Sequence, residues 1–182
     1  MTTTSTTSTN FISLIIIVIL IASSSAQNAN STAVSLCSDA HNPALCKRIL
    51  AGSSTGNLRE MGFKAVKSTQ SSVTQALDVA QALIKASKDP ELIEILMQLS
   101  SIGFGLFGSH ISEYSRVLSI ASKKSAADLP VIAVKAMIEL DCELFFLQRP
   151  NAPTEPAEIK AACDSLTDHA DILVLIGMEI IN

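Results

Sequence analysis

From Leu58 to Lys88 the chain contains no proline, and Gly62, Val66, Thr69, Val73, Ala76, Ala80 and Leu83 recur there at alternating steps of four and three. That spacing keeps one helix face turned toward the same neighbours for its whole length, which a strand, with its period of two, cannot do. Leu77 and Ile84 widen the stripe. Asp89-Pro90 breaks this helix and starts a second, with Leu92, Ile95, Leu99, Ile102 and Leu106 on one face, continuing through Tyr114, Val117 and Leu118. Asp128, with Pro130 close behind, is expected to cap a third helix striped by Val131, Val134, Ile138, Cys142 and Phe145. Pro150, Pro153 and Pro156 mark a rigid turn, after which Thr154 is expected to cap a last helix carrying Ile159, Cys163, Leu166, Ala170, Leu173, Gly177 and Ile180. Short polar connections force successive helices to run in opposite directions, so the expected fold is all-α, an antiparallel up-and-down four-helix bundle.

The ends bound this domain. Residues 1–26 hold no Lys, Arg, Asp or Glu, and an apolar block from Phe11 to Ala22 leads into the small residues before Gln27. A block of about 12 residues is shorter than the roughly 20 needed to cross a bilayer but suits a secretory signal cut after Ala26. The mature chain, residues 27–182, is then one domain, with an N-terminal extension over 27–57 and the bundle over 58–182. Thirteen basic against seventeen acidic residues give a net charge of −4 and no basic block, which argues against a nucleic-acid surface. All four cysteines follow the signal, an even set that in an oxidising compartment points to disulfides. Asn30-Ser31-Thr32 is a glycosylation sequon.

In CSDAHNPALC, residues 37–46, Asn42 suits a helix N-cap and Pro43 a first helical position, so Cys37 and Cys46 stand on two short arms and can bridge. Such a small helical hairpin buries little, and a link worth roughly 2–3 kcal/mol would decide its order. Cys142 and Cys163 lie on the inward stripes of consecutive helices, ten and eleven positions either side of Ala152. Helix axes about 8–10 Å apart bring such side chains within disulfide reach, so the expected pairs are Cys37 with Cys46 and Cys142 with Cys163.

Catalytic, cofactor and metal residues are not found. Gly103, Gly105 and Gly108 spell G-x-G-x-x-G, but within a helix that follows another helix, where the βαβ context of a dinucleotide turn is missing. These glycines should instead allow close helix approach or a bend near Gly108, with Phe104 and Phe107 packing on one side. His41, His110 and His169 accompany no G-x-S-x-G or H-E-x-x-H pattern, and His169, between Asp168 and Ala170, is expected on a solvated face. The pairs Glu91 with Glu94 and Glu155 with Glu158 fall in first turns, where they favour the positive helix end. Lys64, Lys67, Lys85 and Lys88 read as a solvated face, with contact to an acidic partner as the alternative. No Trp and a single Tyr leave no aromatic platform for a carbohydrate.

Cys37, Asn42, Pro43 and Cys46, followed by Leu50, fit C-x-x-T-x-[NY]-P-x-x-C, with Ala40 in place of the threonine. Cys142-Glu143-Leu144-Phe145-Phe146 is similar to C-E-x-[FY]-F, and Leu166 to Asn182 to a final helix. In these features the chain resembles the plant invertase and pectin methylesterase inhibitor family. It departs in carrying His110 where a third cysteine stands four residues before the tyrosine, in a shortened stretch before Cys142, and in lacking Pro-Lys-Phe. The resemblance implies a non-enzyme in the extracellular space or apoplast: a secreted monomer forming a one-to-one complex with pectin methylesterase and occluding its active-site cleft, without a cofactor. Alternatives are inhibition of an acid invertase, or a non-inhibitory secreted binding or carrier role.

Overall fold

Among the described residues, four helix starts carry a side chain that accepts from the free amides of the first turn. The computed structural model describes residues 33–53, 57–120, 126–148 and 153–182; the signal expected over residues 1–26 and the sequon at Asn30 lie outside them. A first helix, α1, covers residues 33–38. α2 (Pro43–Leu50) is capped by Asn42, whose Oδ1 accepts from the Leu45 amide at 3.0 Å. α3 (Leu58–Ala86) is capped by Asn57 and runs for 29 residues. Asp89 caps α4 (Pro90–Gln98), accepting from the amides of Glu91 at 2.9 Å and Leu92 at 3.3 Å.

α4 passes through a π-helical turn, Leu99–Gly103, into α5 (Phe104–Ile120). Ser100 and Ser101 donate their hydroxyls back to the carbonyls of Leu96 and Met97, competing with the regular ladder at this turn. The wider turn rotates everything after it. Phe104, Phe107, Ile111, Tyr114, Val117 and Leu118 are buried, while Ile102 and Leu106, expected on the inner stripe, face outward. The irregularity lies at Leu99–Gly103, not near Gly108, where α5 is continuous.

Among the described residues there follow α6 (Asp128–Glu139), α7 (Cys142–Leu147) and α8 (Ala157–Ile181). Two expected caps are not used: Asp128 is already inside α6, which follows Ala127, and α8 follows Pro156 rather than Thr154. The third helix also ends earlier than expected. Leu140 leaves helical geometry, and Asp141 caps the short α7 through the Leu144 amide at 3.1 Å, so Cys142 and Phe145 belong to a separate helix. On α6 the core face is Leu129, Ala133, Ala136 and Leu140, while Val131, Val134 and Ile138 are exposed. α8 approaches closely at the start of this helix: a Cβ on Gly177 would stand 2.9 Å from the Pro130 nitrogen.

Among the described residues there is no strand, and α3, α5, α6 and α8 form a ring, α3 and α6 each packing on both α5 and α8. Across its centre the fully buried Tyr114 donates its hydroxyl to the Leu173 carbonyl at 2.8 Å, joining α5 to α8. Burial pushes the Tyr114 phenol well above its usual range. On α3 the buried line Gly62, Val66, Thr69, Ala76, Ala80 follows the sequence stripe, and on α8 so does Ile159, Cys163, Leu166, Ala170, Leu173, Gly177.

Candidate functional site

The hairpin of α1 and α2 is closed by the Cys37–Cys46 disulfide, with Cα atoms 5.4 Å apart and both cysteines fully buried. Its turn is built from residues that dock it onto α8. Asn42, while capping α2, donates Nδ2 to Asp168 Oδ2 at 2.7 Å. His41 Nδ1 lies 2.7 Å from Asp168 Oδ1, and the His41 backbone amide donates to Asp171 Oδ2 at 2.8 Å. One side chain thus orders the hairpin internally and fixes it to the bundle. The hydrogen bond that His41 donates to Asp168, then the Asp168 charge, raises the His41 pKa above the ordinary 6.5.

His169 departs from the solvated position expected of it. It is 4 % exposed, with Nδ1 donating to the Ser165 carbonyl at 2.7 Å, and Nε2 facing the hydroxyls of Ser68 at 3.1 Å and Ser72 at 3.2 Å. With Nδ1 carrying the proton, Nε2 accepts from the serine hydroxyls. Burial lowers the His169 pKa. The arrangement pins α3 to α8 with a satisfied polar contact. Ser68 and Ser72 were not singled out in the sequence, because their partner is about a hundred residues away.

His110 Nε2 lies 2.6 Å from Glu139 Oε2, tying α5 to α6. The His110 hydrogen bond holds the Glu139 carboxyl below its usual range, assisted by Lys135. Cys142 is bonded to Cys163, Cα atoms 6.4 Å apart, which fastens the start of α7 to α8. Among the described residues no cysteine is free. Beside this bridge lies an open groove of about 580 Å³ lined by Ile138, Asp141, Glu143, Glu155, Lys160 and Asp164 among others. Glu155 precedes α8 rather than sitting in its first turn, and partial burial raises its pKa. Glu91 and Glu158 do occupy first turns. Lys64 reaches Ser53 and Glu60, and Lys67, Lys85 and Lys88 are exposed.

A bundle of four long helices with a disulfide-closed helical hairpin docked on its last helix defines the class of protein: a small, cross-linked, all-α domain. Its fold is that of the pectin methylesterase inhibitors. A mutant form of a pectin methylesterase inhibitor from Arabidopsis is similar over 79 % of this chain and 93 % of its own, with a TM-score of 0.63 and 17 % identity. A pectin methylesterase inhibitor from Arabidopsis thaliana is similar over 82 % and 96 %, with a TM-score of 0.57 and 15 % identity. No protein-family model and no curated protein sequence matches the chain.

Proposed function

We propose that this chain is a secreted protein inhibitor of a cell-wall carbohydrate-active enzyme, pectin methylesterase first, which it blocks by laying its helix faces over the active-site cleft. The observation that carries this reading is the docked hairpin on a four-helix ring, an architecture shared with inhibitors over nearly their whole length. Inhibition of this kind is steric. Two disulfides and the buried polar contacts at Tyr114 and His169 keep the surface preorganised, so little conformational entropy is lost on docking. The same disulfides suit export to an oxidising compartment, with residues 1–26 as the signal.

A second reading, inhibition of an acid invertase, is favoured by Cys142-Glu143-Leu144-Phe145-Phe146, which folds as α7 with Phe146 buried. The carrier reading loses support from the core, where helices approach at Gly177 until no methyl group fits between them. The test is an assay of purified pectin methylesterase and acid invertase with the purified protein, from acidic to neutral pH. Stoichiometric loss of pectin methylesterase activity is expected. Loss of invertase activity alone selects the second reading, and loss of neither, with the bundle intact by circular dichroism, rejects both.

A further inference from the structure

We propose that the outward face of the continuous helix α4–α5 is a self-association surface, on which a second copy of this chain packs antiparallel about a two-fold axis at Gly105. From Gln98 to Ser112 the sequence holds no Asp, Glu, Lys or Arg, and its one ionisable side chain, His110, is turned to Glu139. Met97, Ile102 and Leu106 stand 57, 51 and 44 % exposed along this face. On α3, by contrast, the outward face carries Lys67, Gln70 and Lys85. Of the most apolar window in the α4–α5 helix only 33 % is buried within the chain.

Gly105 adds a second argument. A mid-helix glycine costs about 1 kcal/mol relative to alanine, so each should permit a contact. Gly103 does: a Cβ there would lie 2.8 Å from Leu99 and 3.4 Å from Phe145. Gly108 faces Val73 on α3 at 3.6 Å. At Gly105 a Cβ would meet only the Ser100 carbonyl, at 3.9 Å, so nothing else among the described residues uses the space. The glycine lies open at the middle of the apolar face.

Charge chooses the occupant and its direction. Glu94 and Arg116, both exposed, stand eleven residues on either side of Gly105. Antiparallel packing about Gly105 sets each Glu94 against the partner's Arg116, whereas parallel packing sets like against like. Arg116 donates Nε and Nη2 to Glu113 in its own chain and keeps further N–H donors for a second carboxylate. The span from Glu94 to Arg116 is about 33 Å at 1.5 Å per residue. Axes about 8 Å apart at Gly105 and crossing at about 20° are still only about 10 Å apart at these ends, within side-chain reach; at about 50° they are roughly 16 Å apart. The ion pairs therefore select the shallow crossing. One helix face buries less than a standard interface, so the dimer is weak and reversible. The monomer expected from sequence becomes one side of an equilibrium.

Sedimentation velocity on the disulfide-bonded protein purified from secreting cells, without any enzyme, tests this. Dimer should grow with protein concentration and fade with salt. R116E and E94R should each raise the dissociation constant about tenfold or more, and the E94R/R116E pair should restore it. G105E, whose Cβ meets only the Ser100 carbonyl among the described residues, should abolish the dimer and leave the circular dichroism spectrum unchanged. A protein that stays monomeric at its highest soluble concentration, or a dimer indifferent to R116E and G105E, overturns the proposal.

Discussion

Replacing Asn42 with alanine removes two bonds that one side chain makes in different directions. Losing the cap on the Leu45 amide costs about 1 kcal/mol. Losing the bond to Asp168, a hydrogen bond to a charged group, costs about 1.5–3 kcal/mol, and the lower end applies because water can partly replace it at a carboxylate that is 15 % exposed. The sum, about 2.5 kcal/mol, falls on the docking of the hairpin, since Cys37–Cys46 still ties its arms together. Read by hydrogen exchange with mass spectrometry, amides of α2 should exchange on the order of fifty-fold faster. Interior amides of α3 and α8 should not change. Asn42→Asp separates the two effects: it keeps a good cap but sets a carboxylate against Asp168, so it too should release the hairpin. An Asn42→Ala protein whose α2 exchanges less than about threefold faster, or an Asn42→Asp protein that behaves as wild type, refutes the assignment of docking to this contact.

Gly177→Ala and Gly105→Ala should differ in sign. Both gain about 1 kcal/mol of helix propensity, but at Gly177 the added methyl meets Pro130 and Leu129 and nets a loss of about 2 kcal/mol by urea denaturation, while Gly105→Ala stabilises the dilute monomer. Tyr114→Phe should cost about 1–1.5 kcal/mol in the same assay by removing the bond to the Leu173 carbonyl. In an NMR titration the imidazoles of His41 and His169 should separate to either side of 6.5, His41 above and His169 below. The His41 contribution to docking is thus complete below 6.5 and lost as pH rises through its raised folded pKa. The His169 contribution is present above 6.5 and lost as pH falls through its lowered one. A single shared midpoint would count against both environments.

The stripes of α3 and α8 were legible because those helices are regular from end to end, so a fixed period projects onto one neighbour. The stripe of the second helix fails only at Ile102 and Leu106, in and just after the π turn that adds a residue to one winding, and holds again at Tyr114, Val117 and Leu118. On α6 the error came from ranking by hydrophobicity. Val131, Val134 and Ile138 are more apolar than Ala133 and Ala136, but the buried face is the one on which those alanines stand between Leu129 and Leu140. His169 was misplaced for a different reason, since a buried imidazole is recognised by its partners and Ser68 and Ser72 come from another helix. The Asn42-Pro43 turn was visible as a cap. Its second role depends on Asp168, which no local pattern connects to it.

Both covalent bridges close short stretches, with separations of 9 and 21 residues, whereas α3 and α8, at opposite ends of the described bundle, are held to each other by packing and hydrogen bonds. Oxidation therefore never has to wait for the distant ends of the chain to meet, and the formation of either bond leaves the remaining topology free to search. Thiol chemistry and chain threading can proceed in either order in the cell.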